Sequence, residues 1–262
     1  MHDPTVVGDG AGPTQRRPGK VLLEAQGVRR SLGGDVVLHG VDMAVQSGSI
    51  HALVGMNGAG KTTLMRILLG MLPADGGRAS LFGIPVGALP AERWRDVGQM
   101  IETPSLYPEL TARENMTAAA LLHGLDREGV TDSVRRTAAR LGLERWLDRR
   151  GKRLSLGTRQ KVALAAALVH RPTVLVLDEP SNSLDPSALV SLREIITGIA
   201  ERGGAVLISS HHLDELARLA DTVTVLHRGR IVGGLDPRGI DLERAFFDLI
   251  YQVDQDRPGE AG

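Results

Sequence analysis

The sequence contains no cysteine, which excludes disulfides, zinc–cysteine centres and thiol nucleophiles together. Its formal net charge is zero, which argues against a chain dedicated to nucleic acid or to an anionic membrane surface. The longest unbroken apolar run is Val162–Val169, far short of the ~20 residues needed to cross a bilayer. The opening MHDPTVVGDGAGPTQRRPGK has no apolar core behind a basic start. It therefore reads as a disordered tail over 1–19 and not as a signal peptide. Lysine is scarce as well: Lys20, Lys61, Lys152 and Lys161 are the only ones among 31 basic residues. Each of them therefore invites a question.

What is present suits one sizeable core. A chain of 262 residues with 42% apolar content can bury such a core and carry a small inserted subdomain. KVLLEAQGVRR (20–30), SIHALVG (49–55), TVLVLDEP (173–180) and AVLISS (205–210) have strand length and composition. VTVLHRGRIVGGL (223–235) reads as two strands about an Arg-Gly turn. KTTLMRILLGML puts Leu64, Ile67, Leu68 and Met71 on one helical face, and a further helix is expected over Ala188–Ala200. Residues 103–150 carry only helix-like stretches. DLERAFFDLIYQV spaces Leu242, Phe246, Leu249 and Ile250 for one apolar helix face, before the polar tail DQDRPGEAG. The fold class expected is α/β with a helical insertion.

Two stretches carry chemistry. GMNGAGKTT (55–63) fits G-x-x-x-x-G-K-[ST] after a strand and before a helix. Gly55, Gly58 and Gly60 let the backbone curl so that its N–H groups face a phosphate chain. Lys61 reaches the outer phosphates and the Thr62 hydroxyl can bind Mg²⁺; Asn57, Ala59 and Thr63 complete the loop. A glycine-rich turn with an incidental lysine is the bland alternative, and the flanking strand and helix weigh against it. TVLVLDEP ends an apolar strand in two carboxylates. Asp178 would hold Mg²⁺ directly or through water, and Glu179 would orient or deprotonate an attacking water.

A third stretch, GKRLSLGTRQKVALAAALVH (151–170), places Ser-Leu-Gly at the mouth of an apolar helix, where free backbone N–H groups make an anion site. With it the chain resembles the ATP-binding cassette (ABC) ATPases over nearly all of residues 20–250. The order GMNGAGKTT, LSLGTRQK, VLVLDEP, SNSLD (181–185) and ISSHHLDE (208–215) carries the likeness. The resemblance implies a P-loop nucleotide-binding core with an antiparallel β subdomain and an inserted helical subdomain. The cassette core would span 20–101 and 156–239, the helical subdomain 102–155, and a C-terminal helix and tail 240–262. It also implies ATP and Mg²⁺ as ligands and a head-to-tail homodimer, in which Ser155 and Gly157 press on the γ-phosphate held by the other subunit. His211 matches the switch histidine and Asp185 the aspartate that runs along the dimer interface, while His212 and Leu184 read as structural. The partner implied is a membrane-spanning permease, with the chain cytoplasmic and peripheral on the inner face of the membrane. Tyr107, in SLYPELT, would face that partner; no nucleic acid and no membrane insertion are expected.

The chain departs from the family pattern at four places. Glu102 stands where a glutamine is usual, in reach of Mg²⁺ or the water, and brings negative charge near two other carboxylates. Leu156 and Thr158 replace the usual glycine and glutamine of the signature. Leu32 occupies the place of an aromatic ring that stacks on adenine. The Ser-Leu-Gly signature with Glu102 resembles a subgroup of bacterial exporters that includes bacitracin- and lantibiotic-type self-protection pumps. A non-transport ABC ATPase is disfavoured by the single neutral cassette without cysteine or long heptads, and a weakly hydrolysing regulatory clamp by the intact Lys61, Asp178, Glu179 and His211. Arg145, Arg149, Arg150, Lys152 and Arg153 read as a solvated basic surface, with the docking of acidic groups of a partner as the alternative.

Overall fold

The computed structural model describes residues 19–101, 106–210 and 219–256. The expected terminal tails lie outside these residues, apart from Gly19 and the stretch 254–256. The N-terminal strands β1 (Val21–Leu32) and β2 (Asp35–Gln46) are joined by Gly33 and Gly34 at φ 63 and 101. A two-residue hairpin that follows the strand twist needs positive φ at both turn positions. With β4 (Gly76–Leu81) and β5 (Ile84–Pro85) they form an antiparallel sheet in the order β2-β1-β4-β5. In β2, buried Val41, Met43 and Val45 alternate with exposed Asp42, Ala44 and Gln46, so one face is core and the other solvent.

The second sheet holds β3 (Ser49–Val54), β6 (Val97–Met100), β7 (Val174–Asp178), β8 (Ala205–Ser210), β9 (Thr222–His227) and β10 (Arg230–Leu235) in the order β10-β9-β3-β8-β7-β6. All neighbours are parallel except β10 and β9. Every residue of β7 and β8 is buried, which explains their unbroken apolar runs. Because β3, β8 and β7 are parallel neighbours, their carboxyl ends share one edge, the edge where ligands bind in such sheets.

Helix α1 (Lys61–Leu68) follows β3. It stops before Met71, which is half exposed and does not extend the buried face of Leu64, Ile67 and Leu68 as the spacing suggested. Gly70 at φ 66 turns the chain out of the helix. Between β6 and β7 lie α2 (Ala112–Leu122), α3 (Arg127–Arg140) and α4 (Leu156–Leu168). Thr111 and Glu114 form a capping box at α2, satisfying two backbone donors reciprocally. α5 (Pro186–Glu201) begins two residues before the expected start, because Asp185 caps it and Pro186 takes its first position. The final helix α6 (Leu242–Asp256) buries Leu242, Phe246 and Ile250, each contributing about 1.5–3 kcal/mol. It continues through Asp254, which the composition placed in the polar tail.

The buried histidines include His51 and His170. His51 of β3 is buried with its Nε2 2.8 Å from Thr224 Oγ1, and burial pushes its pKa down to about 4. His170 lies 3.1 Å through Nε2 from the Val97 carbonyl and stacks on His123 at 3.7 Å between ring centroids. Burial, and then the neighbouring His123, bring its pKa to about 4. In the unfolded chain each ring takes up a proton below about pH 6.5. Between that value and about 4 the unfolded chain binds more protons than the native one, so stability drops as the pH is lowered, by up to about 1.4 kcal/mol per pH unit for each ring. Urea unfolding at pH 7 and pH 5 should show this loss; equal stabilities would show that the rings do not fold neutral.

Candidate active site

The phosphate loop bridges β3 and α1. A Cβ on Gly55 would lie 2.3 Å from the Leu226 carbonyl oxygen, and one on Gly60 2.9 Å from Leu38 Cδ2. Gly60 also takes φ 103 and Gly58 φ 80, values that an L side chain rarely adopts. The Leu226 backbone and the Leu38 side chain thus hold the arch from its two ends, while Met56, Asn57 and Gly58 at its crown are exposed. The first N–H groups of α1 have no partners within their own helix, so the arch and the helix dipole together form an anion cradle.

Lys61 is buried at 6% exposure. Its Nζ donates to the Gly55 carbonyl at 2.6 Å and the Met56 carbonyl at 3.3 Å, and lies 3.5 Å from Glu179 Oε1. Thr62 Oγ1 donates to Asp178 Oδ2 at 2.6 Å, and Ser209 Oγ donates to Asp178 Oδ1. Ser209 Oγ in turn accepts from the Glu179 N–H at 2.9 Å. Glu179 holds φ 49, a left-handed conformation costing about 1–2 kcal/mol for a residue with a side chain. The Ser209 bond and the turn bond from Asn182 N–H to the Glu179 carbonyl, 3.2 Å, brace it there. The result is a carboxylate aimed at the Lys61 ammonium. Gly55, Lys61, Thr62, Asp178 and Glu179 therefore meet at one sheet edge, with Thr63 partly buried in the first turn of α1.

Sequence reasoning passed over Ser209. It ties the Asp178 carboxylate and the Glu179 backbone at the end of β7 to β8, and the available signal was Ser209-Ser210, two polar residues closing an otherwise apolar buried strand. Thr62 Oγ1 and the Asp178 carboxylate are hard oxygen donors 2.6 Å apart, a donor set that fits Mg²⁺.

A second group forms where α4 and α5 begin. Ser155 caps α4, its Oγ accepting from Thr158 N–H at 3.2 Å and lying 2.8 Å from Thr158 Oγ1. Among the described residues the N–H groups of Leu156 and Gly157 have no acceptor. A Cβ on Gly157 would sit 2.5 Å from the Ser183 carbonyl oxygen, so glycine is required there by packing alone. Asp185 accepts from Ala188 N–H at 2.9 Å and Ser187 Oγ at 2.6 Å, and pairs with Lys161 Nζ at 2.5 Å. The Lys161 bond, followed by those from Ser187 and Ala188, holds its carboxyl far below the usual carboxylate range. Lys161 thus ties the turn that carries Ser155 to the segment that carries Asp185. Leu184 packs against the core.

Glu102, His211 and His212 lie outside the described residues. Leu32 is 40% exposed at the end of β1. Tyr107 is exposed at a cleft of about 280 Å³ bordered by Gln99, Met100, Asn115 and His123. In the basic cluster, Lys152 pairs with Glu109 at 2.7 Å and Arg145 lies over the Trp146 ring. No described helix is long and apolar enough to cross a membrane.

A family model described as ABC transporter matches residues 38–182. The lantibiotic transport ATP-binding protein SrtF of Streptococcus pyogenes is 34% identical over 80% of this chain and 89% of its own. The bacitracin transport ATP-binding protein BcrA of Bacillus licheniformis is 34% identical over 80% of this chain and 68% of its own. Among solved structures, an ATP-binding subunit of an ABC transporter superposes with a TM-score of 0.77 at 30% identity, covering 90% of this chain and 98% of that one.

Proposed function

Because this chain belongs to the ABC transporter family, whose ATP-binding subunits hydrolyse ATP, we propose that it is the ATP-hydrolysing subunit of an exporter. Its similarity to bacitracin and lantibiotic transport ATP-binding proteins supports a cargo of that kind, an antimicrobial peptide or drug. Two copies would close head-to-tail around two MgATP and drive a separate membrane permease, which would dock near Tyr107 and keep the chain at the inner face of the membrane.

The observation that carries the reading is the paired contact at the sheet edge: Thr62 to Asp178 at 2.6 Å and Lys61 to Glu179 at 3.5 Å. The loop N–H groups and Lys61 bind the phosphate chain, so that the terminal phosphorus lies near Glu179. Thr62 and Asp178 would hold Mg²⁺, which supplies positive charge against the phosphate oxygens. Glu179 orients the attacking water and accepts its proton as the bond to the terminal phosphate forms and the bond to ADP breaks. Across the dimer, the Ser155 hydroxyl and the Gly157 N–H at the start of α4 meet the same phosphate. Asp185 runs along that interface and His211 contacts the phosphate. Glu102 contributes at the water or the metal and slows turnover by its charge. The residue ranges 20–101 with 156–239, and 102–155, are the proposed core and helical units, with 240–262 as the closing segment.

The test is phosphate release from MgATP by the purified chain, alone and reconstituted with a candidate membrane-spanning permease. Release that stops on chelating Mg²⁺ with EDTA and rises with the membrane partner is the expected result. No release in either preparation would overturn the reading.

A further inference from the structure

The turn that links β9 to β10 braces the phosphate loop at both shoulders. On the β9 side, the Leu226 carbonyl lies where a Cβ of Gly55 would be, at 2.3 Å. On the turn itself, the Gly229 N–H donates to the Ala59 carbonyl at 3.0 Å, and the Gly229 carbonyl accepts from His39 N–H at 2.9 Å. Between Gly55 and Ala59 lies the exposed crown of the arch. The shape of the crown therefore depends on where this turn sits. Its two central residues take φ 44 at Arg228 and φ 71 at Gly229. A Cβ on Gly229 would lie 2.1 Å from the Val37 carbonyl oxygen, and Arg228 occupies a conformation that glycine or asparagine would take at lower cost.

A second contact holds this turn from behind. Asp254, in the last turn of α6, accepts from His227 Nε2 at 2.9 Å and lies 3.5 Å from Arg228 Nη1. The His227 side chain is 9% exposed, whereas Arg228 and Asp254 are 45% and 38% exposed. The contact with Arg228 is therefore weakened by solvent, and the bond to the buried His227 ring is the one that fixes position. That bond, first among the causes, draws the Asp254 carboxyl below its ordinary range. Asp254 reaches the turn because α6 is anchored by buried Leu242, Phe246 and Ile250 on the same face, spaced at four residues like Asp254 itself.

We infer that α6 latches the phosphate loop in its anion-binding shape through Asp254, a positioning residue that acts on nucleotide by way of His227, the Arg228–Gly229 turn and Ala59. The inference rests on residues 55–63 being the nucleotide site. Without the bond the turn gains freedom, and the N–H groups of the arch lose the alignment that phosphate binding requires.

Hydrogen–deuterium exchange of the peptide covering residues 55–63, measured without nucleotide, tests the latch directly. MgATP affinity, measured in parallel, tests its consequence. Asp254→Ala should speed exchange in that peptide and weaken MgATP binding by about tenfold, the equivalent of roughly one hydrogen bond to a charged group. Asp254→Asn, which keeps an oxygen acceptor for His227, should fall nearer the wild type. Asp248→Ala on the same helix, where Asp248 pairs with Arg244 at 3.6 Å on the surface, should change neither reading. Should Asp254→Ala fail to fold, Asp254→Ser is too short to reach the ring and replaces it. Unchanged exchange over 55–63 in a folded Asp254→Ala or Asp254→Ser protein overturns the latch. A wild-type chain that binds no MgATP would instead overturn the nucleotide site, and the exchange data would still decide the latch.

Discussion

Glu179→Gln is expected to lower phosphate release by about 10²–10⁴-fold, the usual effect of removing a positioned general base, while MgATP binding survives. Glutamine has nearly the same shape, and the brace on this residue comes through its backbone, from Ser209 Oγ at 2.9 Å and from the Asn182 turn. The φ of 49 is therefore kept. What disappears is a negative charge 3.5 Å from Lys61 Nζ. The Lys61 ammonium then has one competitor fewer for the terminal phosphate, so affinity for MgATP should hold or rise. With binding intact and the chemical step blocked, two chains should remain closed. Size-exclusion chromatography of the variant should show a species of twice the 28.0 kDa chain only with MgATP. Release at the wild-type rate would remove Glu179 from the chemistry. Loss of release with a monomer under all conditions would keep the base and remove the clamp across the dimer.

The start of α4 makes the second outcome physically meaningful. Ser155 Oγ is engaged with Thr158, through both its N–H and its hydroxyl. To meet a phosphate on another subunit it must share or leave that cap, and an N-terminal cap contributes about 1 kcal/mol. Where the family usually has glutamine, Thr158 supplies this local partner. The Gly157 N–H needs no such rearrangement, and Leu156 is 49% exposed beside it. The closure proposed for this chain would therefore rest more on backbone donors and the helix dipole than on the serine hydroxyl.

Much of this was legible in the sequence, for identifiable reasons. The phosphate loop, β7 and its carboxylates are defined by local spacing, because each function there needs a residue type at a fixed offset from a strand end. The Arg228–Gly229 turn was legible for the same reason. β2 was not, because DVVLHGVDMAVQ mixes small and polar residues on a one-sided strand and breaks register against β1 at several bulges. β6 is only four residues, and its Gln99 is exposed, too short a run for periodicity to speak. Ser209, Lys161 and Asp254 share a different difficulty. Each acts on a partner brought close only by tertiary packing, so no offset along the chain announces it. The scarcity of lysine did draw attention to Lys161, and its bond to Asp185 at 2.5 Å accounts for it.

Lys61 is the lysine whose loss is expected to weaken nucleotide binding most. Lys61→Met keeps an unbranched apolar stem in the buried site but removes the ammonium that meets the Gly55 and Met56 carbonyls and Glu179. Removing one member of a buried, hydrogen-bonded charge pair costs about 2–5 kcal/mol, which corresponds to a loss of about 30- to 5,000-fold in affinity for MgATP. Two effects combine in that range. The phosphates lose a charge-assisted donor, and Glu179 is left facing them with no cation between. The second effect separates this variant from a mere loss of fold. In the double variant Lys61→Met with Glu179→Gln the uncompensated carboxylate is gone, so part of the lost affinity should return while phosphate release stays suppressed. Calorimetric titration of both proteins with MgATP measures the coupling. Wild-type affinity in Lys61→Met would remove the lysine from the nucleotide site. A double variant no better than the single one would show that Lys61 and Glu179 act on the phosphates independently, despite the 3.5 Å between them.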